Sequence, residues 1–254
     1  MPDHELPASV RVALWATTAL SGRIDPAEVA PRALPDLDDC TGLLETLTLW
    51  QSLGEHAVLV ALPRPGDLTG LPPSGPELQA AAALAQECVY IPALGGALVP
   101  TLEEYGPVAD RGWSVRWDTY PAGPVATHRV EALDLGQVEL SLRTELAELT
   151  EQLLAVGGAP FGPGAGEGLA RARSATDQGR WGLPEGIPGR AARLISLAGT
   201  VLTLTDAGLD PASESADLAT TRSRAQALQQ LQRRASGALA DATNTAVLHL
   251  AGWR

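Results

Sequence analysis

Lysine is missing from this chain. Its 18 basic residues are all arginine. That excludes a Schiff-base lysine, a Walker-loop lysine, the kinase strand lysine and a Ser–Lys pair. Cysteine is nearly missing too. Cys40 and Cys88 are too few for a disulfide framework or a cysteine zinc site, and they read as small buried hydrophobes. Positive charge is outnumbered, because 30 Asp and Glu leave a net charge of −12 and a pI near 4.7. Arginines cluster no further than short pairs. A chain so charged repels nucleic acid and anionic membrane surfaces, and neither is expected as a partner. Long apolar runs are lacking. The strongest, about Ala191 to Leu204, falls short of the roughly 20 residues of a spanning helix and contains Arg193. Met1 to Pro7 has no basic region and does not read as a signal peptide. A soluble, cytoplasmic protein is expected.

What is present is enough for a substantial core: 254 residues, 45% of them hydrophobic and 19% charged. The first fifty residues read as helices. Ser9 to Leu20 is apolar on most sides and stops before Gly22. Asp25-Pro26-Ala27-Glu28 has the form of a capping box with proline in the first turn. Leu37, Cys40, Leu44 and Leu47 recur at three and four, the spacing of one helical face, with Gly54 closing that helix. His56 to Leu62 is a short continuous apolar run, read as a strand covered on both faces. Pro63 to Pro76 is a Pro/Gly loop, and Glu77 to Gln86 an alanine-rich helix.

Strands are predicted over 87–91, 97–103 and 112–120, with a fourth over 125–130. In the third, Trp113, Val115 and Trp117 alternate with Ser114, Arg116 and Asp118. Short connections suggest an antiparallel meander. From Asp134 the pattern turns helical. Leu135, Val138, Leu142, Leu146, Leu149, Leu153 and Val156 form one stripe of a helix of about 22 residues that ends at Gly157-Gly158. After an irregular stretch that includes a short helix over 169–178, a buried helix runs from Gly189 to Ala207. A last helix runs from Asp210-Pro211 to about His249, with Leu218, Ala225, Leu228, Leu231, Ala235, Leu239 and Ala242 on one face. Gly237 weakens it by about 1 kcal/mol relative to alanine and marks where it would break. The expected fold is α+β. A small antiparallel sheet of four to five strands packs with N-terminal helices in an α+β region, residues 1–132. A helical region, residues 133–254, follows, separate or continuous with the first.

Motifs for chemistry are few. The run Gly162 to Gly168 lacks both the G-x-G-x-x-G fingerprint and a following lysine, and reads as a connection between helices. His4, His56, His128 and His249 show no metal-ligand spacing, and no G-x-S-x-G elbow occurs. The acidic run Asp36-Leu37-Asp38-Asp39 suits a helix N-terminus better than a cation site. Neither a metal nor a cofactor is expected. Trp181 stands out as a large aromatic in a Gly/Pro loop beside Arg180. That pair could plug the loop onto the core or line a pocket, where Trp and Arg are enriched. Arg64 and Asp67, in the Pro-rich loop, could join such a site.

The phrases LPASVRVALWATTALSGR, ALPRPGDLTGLPP, ECVYIPALGGALVPT, GWSVRWDTY, GRWGLPEGIPGRAARLISLAGT and LHLAGWR resemble a family of conserved hypothetical proteins of high-GC actinobacteria. The resemblance implies a cytoplasmic single-chain protein and carries over no catalytic residue. The leading expectation is therefore a non-enzymatic intracellular interaction or regulatory protein that self-associates through its C-terminal helices, with a homodimer as one possible form. The alternative is a protein that binds a small anionic molecule, or an enzyme without a recognisable motif. Its pocket would lie near Arg180 and Trp181, with Arg116 and His128 converging on it. Arginine favours an anion because its planar fork matches carboxylate and phosphate.

Overall fold

The computed structural model describes residues 6–107, 111–156, 182–209 and 218–253. The chain opens with α1 (Ala8–Leu20), a 3-10 turn (Pro26–Glu28) and α2 (Val29–Ala33). Strand β1 (Asp39–Thr41), α3 (Leu43–Ser52), β2 (Leu59–Ala61), α4 (Pro76–Ala85) and β3 (Cys88–Tyr90) follow. Next come β4 (Ala97–Tyr105), β5 (Gly112–Tyr120) and the single turn α5 (His128–Glu131). The long helices are α6 (Leu135–Val156), α7 (Gly189–Leu209) and α8 (Leu218–Leu250). The architecture is α+β, with N-terminal helices, a five-stranded sheet among the described residues, and a helical C-terminal half.

The sheet order is β1-β5-β4-β3-β2. From β2 to β5 it is the expected meander, each strand antiparallel to the next. The addition is β1, which pairs parallel to β5 with Cys40 opposite Val115 and makes the sheet mixed. This corrects the helical reading of Leu37 and Cys40, whose helix begins only at Leu43. Asp38 sets the pairing, since its amide donates to the Trp113 carbonyl at 2.8 Å and its carboxylate accepts from the Trp113 amide at 2.8 Å. The acidic run therefore docks on a strand and does not begin a helix. Gly42 then makes the turn at φ +80°, where a Cβ would lie 2.4 Å from the Trp117 carbonyl oxygen, so only glycine fits.

The strand expected over 125–130 is also corrected. Pro121 and Pro124 withhold ladder donors, the Val125 amide bonds to the Pro92 carbonyl, and a helical turn begins at His128. On β5 the expected alternation holds: Val115 and Trp117 are buried, and Arg116 is exposed.

Helix α1 is buried on nearly every side because it packs against β2, β3, α2 and α8. Several of its buried polar groups are matched, although the Ser9 hydroxyl has no partner among the described residues. The Arg11 guanidinium grips both Asp36 oxygens, and its Nε–H donates to the Leu6 carbonyl at 3.0 Å. The Ser9 amide in the first turn donates to Glu87 Oε2 at 2.7 Å. The capping box at Asp25 forms in full. In α6, Leu135, Leu142 and Leu149 of the expected stripe are buried. Helix α8 packs along α6 and α7 and reaches α1 and β2, and it stays unbroken through Gly237.

Edge strand β2 is covered on both faces, which leaves the backbone groups of its outer edge to be satisfied. Thr17 of α1 accepts from the Val58 amide at 3.0 Å. Asn244 of α8 then pairs with Val60 twice, its Oδ1 accepting from the amide at 2.7 Å and its Nδ2 donating to the carbonyl at 2.9 Å. The side-chain amide stands where a sixth strand would be.

Candidate functional site

Beside that edge a cleft of about 780 Å³ opens between the loop after β2, helix α6 and helix α8. Its volume is in the range of small-molecule sites. Val60, Leu62, Val138 and Leu142 supply apolar wall, and the rest is largely polar.

Arg64 and Asp67 enter the cleft from a four-residue turn, Arg64-Pro65-Gly66-Asp67. Proline in the second position and glycine at φ +81° in the third are the type II pattern. The two flanking residues exchange backbone hydrogen bonds of 2.9 and 2.8 Å. Arg64 is buried, with 9% exposure. Its Nε–H donates to Ser236 Oγ at 2.7 Å, and its NH1 donates to Gln86 Oε1. Gln86 sits in the left-handed region at φ 59°, an uncommon place for a side chain of its size, and it ends α4 against this arginine. Among the described residues no carboxylate pairs with Arg64, and two of its five N–H donors are used. Burial lowers its pKa, and the more distant charges of Asp206 and Glu87 support the cation.

Helix α8 gives the opposite wall. Gln230, Arg234, Gly237, Asp241 and Asn244 line the cleft at spacings of four, three, four and three, a single helical face. A Cβ on Gly237 would meet nothing within 4 Å, so that position is open space. Arg234 Nε lies 3.0 Å from Glu145 Oε2 of α6. Asp67 accepts from the Thr69 amide at 2.9 Å. The Thr69 hydrogen bonds hold its carboxyl below the usual aspartate value, helped by Arg233 and Arg234. Asp241 differs. It is half-buried, burial raises its carboxyl above the usual value, and that carboxyl makes no hydrogen bond or ion pair among the described residues.

Of the residues singled out from sequence, Arg64 and Asp67 reach this cleft. Arg116 is exposed on β5 and paired with Asp118 at 3.0 Å, with Glu103 at 3.7 Å. His128 lines a separate hollow of about 540 Å³ with Leu71, Pro73 and Pro124. Arg116 lines neither this hollow nor the cleft at Arg64. Arg180, Trp181, the Gly162–Gly168 run and the short helix over 169–178 lie outside the described residues. The next residue, Gly182, accepts a 2.7 Å hydrogen bond from the Trp15 indole, over which Arg32 stacks at 5.1 Å. None of these three residues lines the cleft. Reading for apolar stripes missed the polar stripe 230-234-237-241-244, although its spacing is plain in the sequence.

Cys40 and Cys88 are both free. Burial pushes their thiols up to about 11 and about 12. Neither is poised as a nucleophile, which needs a thiolate. Among the described residues no group of His, Cys, Asp and Glu is arranged to hold a metal, and no helix is long and apolar enough to cross a membrane.

The class is thus an α+β protein whose mixed sheet meets a helical half across an arginine-bearing cleft. The chain is similar to Rv1486c-like proteins, matching the model of their N-terminal domain over residues 9–132 and that of their C-terminal domain over residues 136–240. The family is named after a mycobacterial gene, in keeping with the actinobacterial resemblance of the sequence. No curated protein and no solved structure matches this chain. The cleft draws on both matched stretches, Arg64 and Asp67 from the first and Glu145 and Arg234 from the second.

Proposed function

We propose that this chain is a non-enzymatic, cytoplasmic binding protein for a small molecule with an anionic group, held in the cleft at Arg64. One observation carries the reading: a guanidinium at 9% exposure lines a cleft of ligand size with no carboxylate partner among the described residues. Three elements hold it there, through the turn at Pro65-Gly66, Gln86 at the end of α4, and Ser236 of α8. A fixed fork of donors is a suitable receptor for carboxylate or phosphate. Two free thiols suit a reducing compartment.

Self-association through the C-terminal helices is a separate proposal with less to support it. The apolar faces that prompted it are covered within the chain. Leu194, Ile195 and Leu202 of α7 pack with Leu231, Leu239 and Ala242 of α8 in one core. Leu140 of α6 is the exposed large apolar side chain among the described residues of these helices.

Calorimetric titration at pH 7 with carboxylates, phosphate esters and amino acids tests the cleft reading. At least one compound saturates a single site, and Arg64→Gln weakens it about tenfold or more. Arg64→Lys, which keeps the charge but loses the fork, falls between. No saturable binding, or binding indifferent to Arg64→Gln, overturns it.

A further inference from the structure

The charged groups of the cleft balance by sign. Arg64, Arg233 and Arg234 face Asp67, Glu145 and Asp241. Most of this charge is already answered. Arg234 lies against Glu145, and Asp67 is bound to Thr69 with both rim arginines nearby. Asn244, the neutral amide next along α8, is committed to Val60. Two buried or half-buried ionic groups remain without a charged partner among the described residues, Arg64 on the loop side and Asp241 on the helix side. They do not pair with each other.

From this we infer that the ligand is zwitterionic, an amino acid in the broad sense. Its carboxylate meets Arg64, and its ammonium meets Asp241 across the same cleft. The inference rests on the proposed anion site at Arg64 and names the second group the ligand must carry. A plain anion seated on Arg64 would leave Asp241 facing it, desolvated further and still unanswered, which is costly. An ammonium placed against Asp241 removes that cost and adds a charge-assisted hydrogen bond. Gly237 lies one turn from Asp241 on the cleft face, where its missing side chain leaves room for the ligand's carbon chain. The site is a binding site only, and no bond of the ligand is made or broken.

The test compares matched series at pH 7 on the full chain by calorimetry. One series is the ω-amino acids from glycine to 6-aminohexanoate together with the common α-amino acids. The other is the corresponding carboxylates that lack the amino group. At least one amino acid binds, and its carboxylate counterpart binds about tenfold weaker or less tightly still. Asp241→Asn removes that preference, weakening the amino acid about tenfold while tightening the carboxylate, which no longer faces a buried negative charge. Circular dichroism of the variant confirms that it folds. Gly237→Leu, which fills the open space, abolishes binding without touching either ionic group. If carboxylates bind as tightly as amino acids and depend on Arg64, the zwitterion inference fails while the anion site stands. If neither series binds but a phosphate ester does through Arg64, the result is the same. If nothing binds, both fall.

Discussion

Asn244 and Asp241 stand one turn apart on the same face of α8, and the structure treats them oppositely. Asn244 is buried and fully used, its carboxamide closing the outer edge of β2 with two hydrogen bonds. Asp241 is half-buried and unused among the described residues. A buried amide with both partners is a stability device. A desolvated carboxylate with none costs stability, and such groups gather where a ligand is to be met. One helical face thus passes within a single turn from holding the fold together to lining the cleft. Arg64 shows the same division in one side chain, with two donors fixing it to Ser236 and Gln86 and the others without a partner among the described residues.

The comparison can be broken most sharply at Asn244. Asn244→Ala strips the Val60 amide and carbonyl of their partners in a buried edge and is expected to destabilise the chain by about 3 kcal/mol in urea unfolding. A loss well under 1 kcal/mol would mean that the edge finds water or another partner. The cleft side of the same helix should respond in the opposite sense. Gly237→Ala puts a methyl into open space within a helix and is expected to stabilise by about 1 kcal/mol, read as a higher urea midpoint.

Asp241 gives a smaller effect, distinguished by its pH dependence. Because burial raises its folded pKa, the folded chain holds that proton more tightly than the unfolded chain does. A penalty therefore sets in as pH rises above the ordinary aspartate value and is complete above the raised one. Asp241→Asn is expected to gain on the parent chain between about pH 4 and pH 7. An equal difference at both ends of that range would show that Asp241 has a partner. The smallest effect belongs to Arg116. Its ion pairs are exposed, and Arg116→Ala should leave the urea midpoint unchanged within error and leave ligand binding intact.

The elements with strong local signals were legible. The 22-residue α6, the capping box at Asp25, β2 as a doubly covered strand, and the alternation on β5 all follow from periodicity and caps. The failures share a cause. Leu37 and Cys40 fit a helical spacing, yet the free edge of β5 offered Asp38 to Thr41 a ladder that local spacing does not reveal. Over 125–130 the apolar residues suggested a strand, but the Val125 amide bonds to the Pro92 carbonyl and the backbone turns helical from His128. At the site, the Arg64-Pro65-Gly66-Asp67 turn could be read locally. The polar face of α8 could have been read as well, because 4-3-4-3 spacing serves a polar stripe as well as an apolar one.

By itself the sequence determined the α+β composition, the long helices and the chemistry that lacks lysine and paired cysteines. These depend on residue identity and on spacings of a few residues. Only the tertiary structure decided that Asn244 would close an edge strand 184 residues away and that Arg64 would be buried with no carboxylate beside it among the described residues. It also decided that the Asp241 carboxyl would line the same cleft with no partner among the described residues. Whether a polar side chain is satisfied depends on what the rest of the chain packs against it, and no local pattern in the sequence records that.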